Sequence, residues 1–131
     1  MADDSTNQQP GAMQSTRSSD FSSIYANNVF FEASAWDLKI IFGELDQSSG
    51  TASIQQRAAV TVPWPQAKLM SFWLRVQVEL AEATVKAKIP IRPDLLPAEL
   101  PALTAEQQSD SSAIEFHEIY QRIRADFLAS L

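Results

Sequence analysis

The 131-residue chain contains no cysteine, which excludes disulfides and thiolate metal sites. It has one histidine, so a histidine-based metal site would need carboxylates or several chains. Its three glycines, Gly11, Gly43 and Gly50, cannot make a glycine-rich phosphate loop. The serines lie mostly in the N-terminal tail and in turns, and none sits in a nucleophile-elbow pattern. No apolar run approaches the ~20 residues of a membrane-spanning helix. The opening residues, MADDSTNQQPGAMQSTRSSD, lack the basic-then-apolar pattern of a signal segment. The expectation is therefore a soluble cytoplasmic protein with no metal, no cofactor and no membrane partner.

What is present is a long apolar helix. Pro65 suits a first helical position, where its missing N–H costs nothing, and Trp64 would cap it. No glycine or proline interrupts the run from Trp64 to Val85. One apolar row holds Leu69, Phe72, Trp73, Val76, Leu80 and Ala83. A second holds Ala67, Met70, Leu74, Val78, Ala81 and Val85. Lys68, Ser71, Arg75, Glu79 and Glu82 share one narrow polar stripe, with Arg75 and Glu79 one turn apart and able to pair. A surface helix needs only one apolar stripe. Two rows call for cover on two sides, either wholly within the core of the chain's own domain or, the preferred reading, with one row on the sheet and the other on a partner chain.

Three strands precede this helix. Ile24–Ala33 (IYANNVFFEA), Trp36–Leu45 (WDLKIIFGEL) and Ala52–Val62 (ASIQQRAAVTV) are rich in β-branched and aromatic residues. Gly43 inside the second apolar run marks a bulge or a close backbone approach. Asp46–Gly50 is a turn by composition. The fold class that follows is α+β: an antiparallel three-stranded meander packed on one long helix, then a proline-rich arm and a C-terminal helix. Residues 1–20, polar and with little to bury, read as a disordered tail. The core domain is 21–89, the arm 90–111 and the C-terminal amphipathic helix 112–131.

The arm contains Pro90, Pro93, Pro97 and Pro101, a spacing that forbids a regular helix. Its apolar Ile89, Ile91, Leu95, Leu96, Leu100 and Leu103 suggest extended chain laid over a hydrophobic surface. Thr104 with Gln107, and Ser112 with Glu115, match the capping-box pattern of a helix start. Phe116, Ile119, Tyr120, Ile123, Phe127 and Leu128 form the apolar face of the last helix.

The net charge of −6 argues against nucleic acid as a partner. Lys86, Lys88 and Arg92 form a basic cluster that reads as a solvated helix end, with an anion patch as the alternative. His117 has no acidic or nucleophilic residue fixed nearby by the sequence and reads as solvated or partner-contacting. Asp37, Glu44 and Asp46 match no Ca²⁺ loop and read as solvated sheet-end carboxylates. Trp36, Trp64 and Trp73 read as core side chains, with a hydrophobic groove as the alternative.

The order Tyr25-x-Asn27-x-Val29, Asp37, Phe42-Gly43 and Pro65-x-Ala67-Lys68-Leu69 resembles a family of short prokaryotic proteins described as a domain of unknown function. The resemblance covers about residues 24–89. It implies a bacterial origin and a strands-then-helix domain, and no activity. The chain departs from the family pattern after the helix, where the expected glycine before Ile89 is absent and the segment from Pro90 is an extension. The run from Ile24 to Ala33 is also similar to the first strand of SecB-type export chaperones, which follow antiparallel strands with a long helix and oligomerise to bind unfolded chains.

These readings converge on a non-enzymatic, oligomer-forming protein-binding or regulatory module, a homodimer at least. Met70, Trp73, Leu74, Val78, Phe116, Ile119, Tyr120, Ile123 and Phe127 are the expected oligomer or partner interface. Residues 90–131 are the expected contact with a protein partner. A SecB-like chaperone that captures apolar unfolded segments is the second reading. The third is a small-ligand protein or enzyme whose site forms between chains, with Tyr25, Asn27 and Asp37 converging.

Overall fold

The computed structural model describes residues 13–48 and 50–131, so twelve residues of the expected tail lie outside the described residues. The chain is α+β, with strands β1 (Asn28–Ala33), β2 (Asp37–Asp46) and β3 (Ser53–Pro63) followed by helices α1 (Trp64–Val85) and α2 (Ser111–Ala129). It divides into two compact units, Met1–Lys68 and Leu69–Leu131. No helix among the described residues is long and apolar enough to cross a membrane.

The first unit is an antiparallel sheet in the order β1-β2-β3. Central β2 is paired on both sides, so its apolar residues are the best shielded. Ile40 and Ile41 are the buried hydrophobic residues among those described. β1 begins later than the sequence suggests, at Asn28 rather than Ile24. The reason is Asn27. Its N–H donates to the Gly43 carbonyl at 3.1 Å, and its Oδ1 accepts from the Leu45 N–H at 2.7 Å. The side chain thus continues the ladder where the backbone of the first strand leaves it.

The irregularity expected at Gly43 is present. Phe42 faces Ala58 but Gly43 faces Gln56, so Arg57 is the extra residue of a bulge on β3. A Cβ on Gly43 would lie 3.0 Å from both the Gln55 carbonyl oxygen and Ile54 Cγ2. The glycine is needed for close backbone approach. Arg57, displaced by the bulge, reaches Glu44 at 2.8 Å. Gly50 takes φ +80°, a conformation glycine adopts without strain.

In the second unit, α1 ends where the sequence places its end. Lys86 takes φ 54° there, the left-handed position that closes many helices and usually carries glycine. The Ala87 N–H returns to the Glu82 carbonyl at 3.2 Å, and Glu82 Oε2 accepts from the Ile89 N–H at 2.8 Å. The arm then runs along α2. Tyr120 Oη donates to the Ala98 carbonyl at 2.6 Å and Arg124 Nε to the Pro97 carbonyl at 3.0 Å. Leu96, Leu100 and Leu103 are half-buried while Leu95 is exposed, so three leucines of the arm gain partial cover.

The first capping box forms in full. The Thr104 N–H donates to Gln107 Oε1 at 3.0 Å and the Gln107 N–H to Thr104 Oγ1 at 3.2 Å, opening a single 3-10 turn at Gln107–Ser109. The second does not. α2 is capped by Asp110, whose extended backbone lets its carboxylate accept from the Ser112 N–H at 2.9 Å. The helix starts at Ser111, and a carboxylate beside the positive end of the helix displaces Ser112 as the cap.

Candidate interaction surfaces

The described residues offer apolar surface rather than a reactive cluster. α1 has no buried residue in the single chain. In its first row Leu69, Phe72, Trp73 and Leu80 are exposed, and Val76 is half-buried. Phe72 and Trp73 meet edge to face with ring centroids 5.1 Å apart, forming one aromatic ridge. In the second row Leu74, Val78 and Val85 are exposed, while Ala67 and Met70 are half-buried. None of the three tryptophans is buried, contrary to the core role expected of them. Trp36, at the tip of the β1–β2 turn, is 84% exposed.

On α2, Phe116, Ile119 and Ile123 are exposed and Tyr120 and Phe127 half-buried. With Pro97 of the arm they line a groove of about 350 Å³. The hydrogen bonds from Tyr120 and Arg124 to the arm fix one wall of this groove. They also use the polar ends of both side chains, so what faces the groove is hydrocarbon. A larger cleft of about 710 Å³ lies between the C-terminal halves of α1 and α2, with Val78, Ile123 and Phe127 beside Arg75, Glu79, Glu82 and Asp126.

Of the two readings of His117, solvated or partner-contacting, the structure departs from the first: the residue is half-buried. It lines a hollow of about 140 Å³ with Leu100, Leu103, Ala113 and Phe116, and its Nε2 is shielded without a hydrogen-bond partner. The arm covers it, which periodicity within the helix could not reveal.

The basic cluster is largely neutralised within the chain. Lys88 Nζ lies 3.8 Å from Glu82, and Arg92 forks onto Asp94 at 2.7 Å. The hollow beside Lys86 and Lys88 is also lined by Glu79 and Glu82, so it carries both signs and is no anion patch.

Tyr25, Asn27 and Asp37 do not converge within one chain. Asn27 is bound to Leu45 and Asp37 to the Ser34 hydroxyl at 2.8 Å. Asp37 and Leu45 are eight residues apart on β2, about 26 Å along a strand. Tyr25 is 69% exposed. The other two carboxylates weighed as a cluster also have separate neighbours: Glu44 pairs with Arg57, and Asp46 accepts from Ser48 Oγ at 2.6 Å. The Ser48 hydroxyl, and then its N–H, hold the Asp46 carboxyl below its ordinary value of 3.8. Among the described residues no three potential metal-ligating side chains gather.

No family model matches the chain, and no curated protein or solved structure matches it.

Proposed function

We propose that the protein is a non-enzymatic, oligomer-forming protein-binding module whose working surfaces are α1 and the arm with α2. The observation that carries the reading is the mismatch between apolar content and burial. Hydrophobic residues make up 45% of the chain, yet among the described residues only Ile40 and Ile41 are buried hydrophobic side chains. A chain of this size ordinarily removes about two-thirds of its surface from water on folding. Fully burying a large apolar side chain is worth about 1.5–3 kcal/mol, so the exposed ridge of α1 represents a large unclaimed stabilisation. Contiguous exposed apolar surface of this kind marks an association site.

Static light scattering on the full chain at micromolar concentration tests the reading. A dimer or larger species is expected, and a monomer overturns it. Trp73→Asp is expected to dissociate or unfold the assembly, because burying an unpaired charge costs several kcal/mol.

The α2 groove favours a second reading, a chaperone-like capture of apolar unfolded segments. Its hydrocarbon lining suits extended apolar chain, and the similarity of residues 24–33 to SecB-type chaperones points the same way. Suppressed aggregation of an unrelated unfolded protein is the expected result. No effect at several-fold excess removes this reading and leaves the first in place.

A further inference from the structure

We infer that a second copy of this chain packs on the α1 row of Leu69, Phe72, Trp73, Val76 and Leu80, the two helices running antiparallel about a twofold axis beside Val76. The inference rests on the oligomer reading above and specifies its surface and geometry.

Three features of α1 support it. The first is its apolar content. Leu69, Phe72, Trp73 and Leu80 are each between 55% and 58% exposed. Together they present on the order of 400 Å² of apolar surface. That is about half of the ~800 Å² that each partner contributes to a standard interface, with polar rim residues supplying the rest.

The second is symmetry. A twofold interface uses the same patch on both copies, so each position must meet its mirror position along the helix. The apolar row runs from Leu69 to Ala83, and Val76 is its midpoint. An antiparallel pair centred there sets Leu69 against Ala83 of the mate and brings the two Phe72–Trp73 ridges to opposite sides of the axis.

The third is charge. Along α1 the cations Lys68 and Arg75 come before the acids Glu79 and Glu82. This order runs against the helix dipole, which favours acids at the N-terminal end. Within one helix it is mildly unfavourable. Between antiparallel helices it becomes complementary. Centring on Val76 brings Arg75 of one copy within a turn of Glu79 of the other, twice over. Arg75 and Glu79 already pair within the chain at 3.4 Å, with side chains 81% and 66% exposed, so both retain room to join a four-charge cluster. Glu82 is committed to Lys88 and the Ile89 N–H, so the pairs nearest the axis carry the complementarity. A parallel pair would instead put the two Arg75 residues on opposite sides of the seam, away from each other and from Glu79 of the mate, and align the two dipoles unfavourably.

The absence of native cysteine makes the test clean. Single-cysteine variants of the full chain, Leu69→Cys, Val76→Cys and Ala83→Cys, are checked for wild-type circular dichroism and oxidised mildly at a concentration where light scattering gives the wild-type mass. Val76→Cys is expected to cross-link to itself. A mixture of Leu69→Cys and Ala83→Cys is expected to give the mixed product in excess of either self-product. Arg75→Glu should weaken association several-fold, and Arg75→Glu combined with Glu79→Arg should restore it. Dominant Leu69→Cys self-product overturns the antiparallel geometry. A wild-type dimer without Val76→Cys cross-linking overturns the surface while the oligomer reading stands. A monomeric wild type overturns both.

Discussion

Trp64 Nε1 donates to the Ser34 carbonyl at 2.9 Å, tying the first residue of α1 to the turn between β1 and β2. That turn is already dense with bonds. Ser34 Oγ accepts from the N–H groups of Trp36 and Asp37, both at 3.1 Å, and the Ser34 N–H donates to the Asp37 carbonyl at 2.9 Å. Trp64→Phe keeps most of the ring but deletes the indole donor. The expected loss is about 1 kcal/mol, the usual net worth of one such bond. Urea denaturation followed by circular dichroism measures it, and an unchanged midpoint would show that water replaces the indole without penalty.

Asn27 offers a sharper separation of roles. Its Oδ1 takes the Leu45 N–H at 2.7 Å, beyond the last backbone pair of the β1–β2 ladder. Asn27→Ala leaves that donor without its partner. The expected cost is about 1 kcal/mol, with faster hydrogen exchange at the Leu45 amide and little change at Ile40 or Ile41. Exchange that rose equally across β2 would indicate global loosening instead.

Trp64 and Asn27 mark the boundary between what local pattern dictates and what only contacts far along the chain supply. The limits of α1 were legible because a 22-residue apolar period with Pro65 at its start has no good alternative. The Gly43 bulge was legible because glycine within an apolar strand has few other uses. Asn27 falls inside the expected first strand, since alternation alone cannot say that a side chain will replace a backbone acceptor. Ser112 and Glu115 fit the reciprocal pattern of a helix start, but Asp110 supplies the acceptor, a local competition between two good caps. His117 and the tryptophans depend on which residues far along the chain cover them, and periodicity holds no such information. Met70, Trp73, Leu74 and Val78 stand out in the sequence through apolar periodicity alone, and the structure adds their degree of exposure.

The Asp46 carboxylate gives an expected pH effect with a definite sign. The Ser48 hydroxyl and N–H favour its charged form, so its folded pKa lies below the ordinary 3.8. A depressed carboxyl contributes stability that is fully present above the unfolded value and is lost as pH falls through the folded one. The wild type should therefore lose a small increment of stability below about pH 4 that Asp46→Asn does not lose. Because the group is exposed, the increment is small, and an NMR titration of the Asp46 side chain is the direct measurement. A midpoint at or above the ordinary value would show that the Ser48 bonds do not persist in solution.

Tyr120 tests whether the arm is held on α2 by specific bonds. Its Oη reaches the Ala98 carbonyl at 2.6 Å, one residue from the Pro97 carbonyl that accepts from Arg124. Tyr120→Phe removes the first of these and preserves the ring in the groove. The arm should then detach more often, with cleavage between residues 90 and 103 by a non-specific protease rising several-fold at unchanged α-helical signal. Arg124→Ala should add to the effect, since the two bonds hold adjacent carbonyls. Equal cleavage in wild type and both variants would mean that leucine burial alone holds the arm.

Lys86 closes α1 in a conformation that suits glycine. At φ 54° its Cβ crowds the backbone, a penalty of roughly 1–2 kcal/mol for a non-glycine residue. Glycine escapes that penalty but loses more freedom on folding, about 0.5–1 kcal/mol. The first term is the larger, so Lys86→Gly should raise stability by up to about 1 kcal/mol, and Lys86→Asn by less, because asparagine tolerates the left-handed region only partly. Lys86→Ala separates this from loss of charge: it removes the ammonium but retains the Cβ, and should give no gain. Thermal unfolding of the three variants at one protein concentration, to hold any association constant, makes the comparison. The order glycine above asparagine above alanine is the expected result. A destabilised Lys86→Gly would mean that the lysine side chain contributes more to the end of α1 than its backbone strain removes.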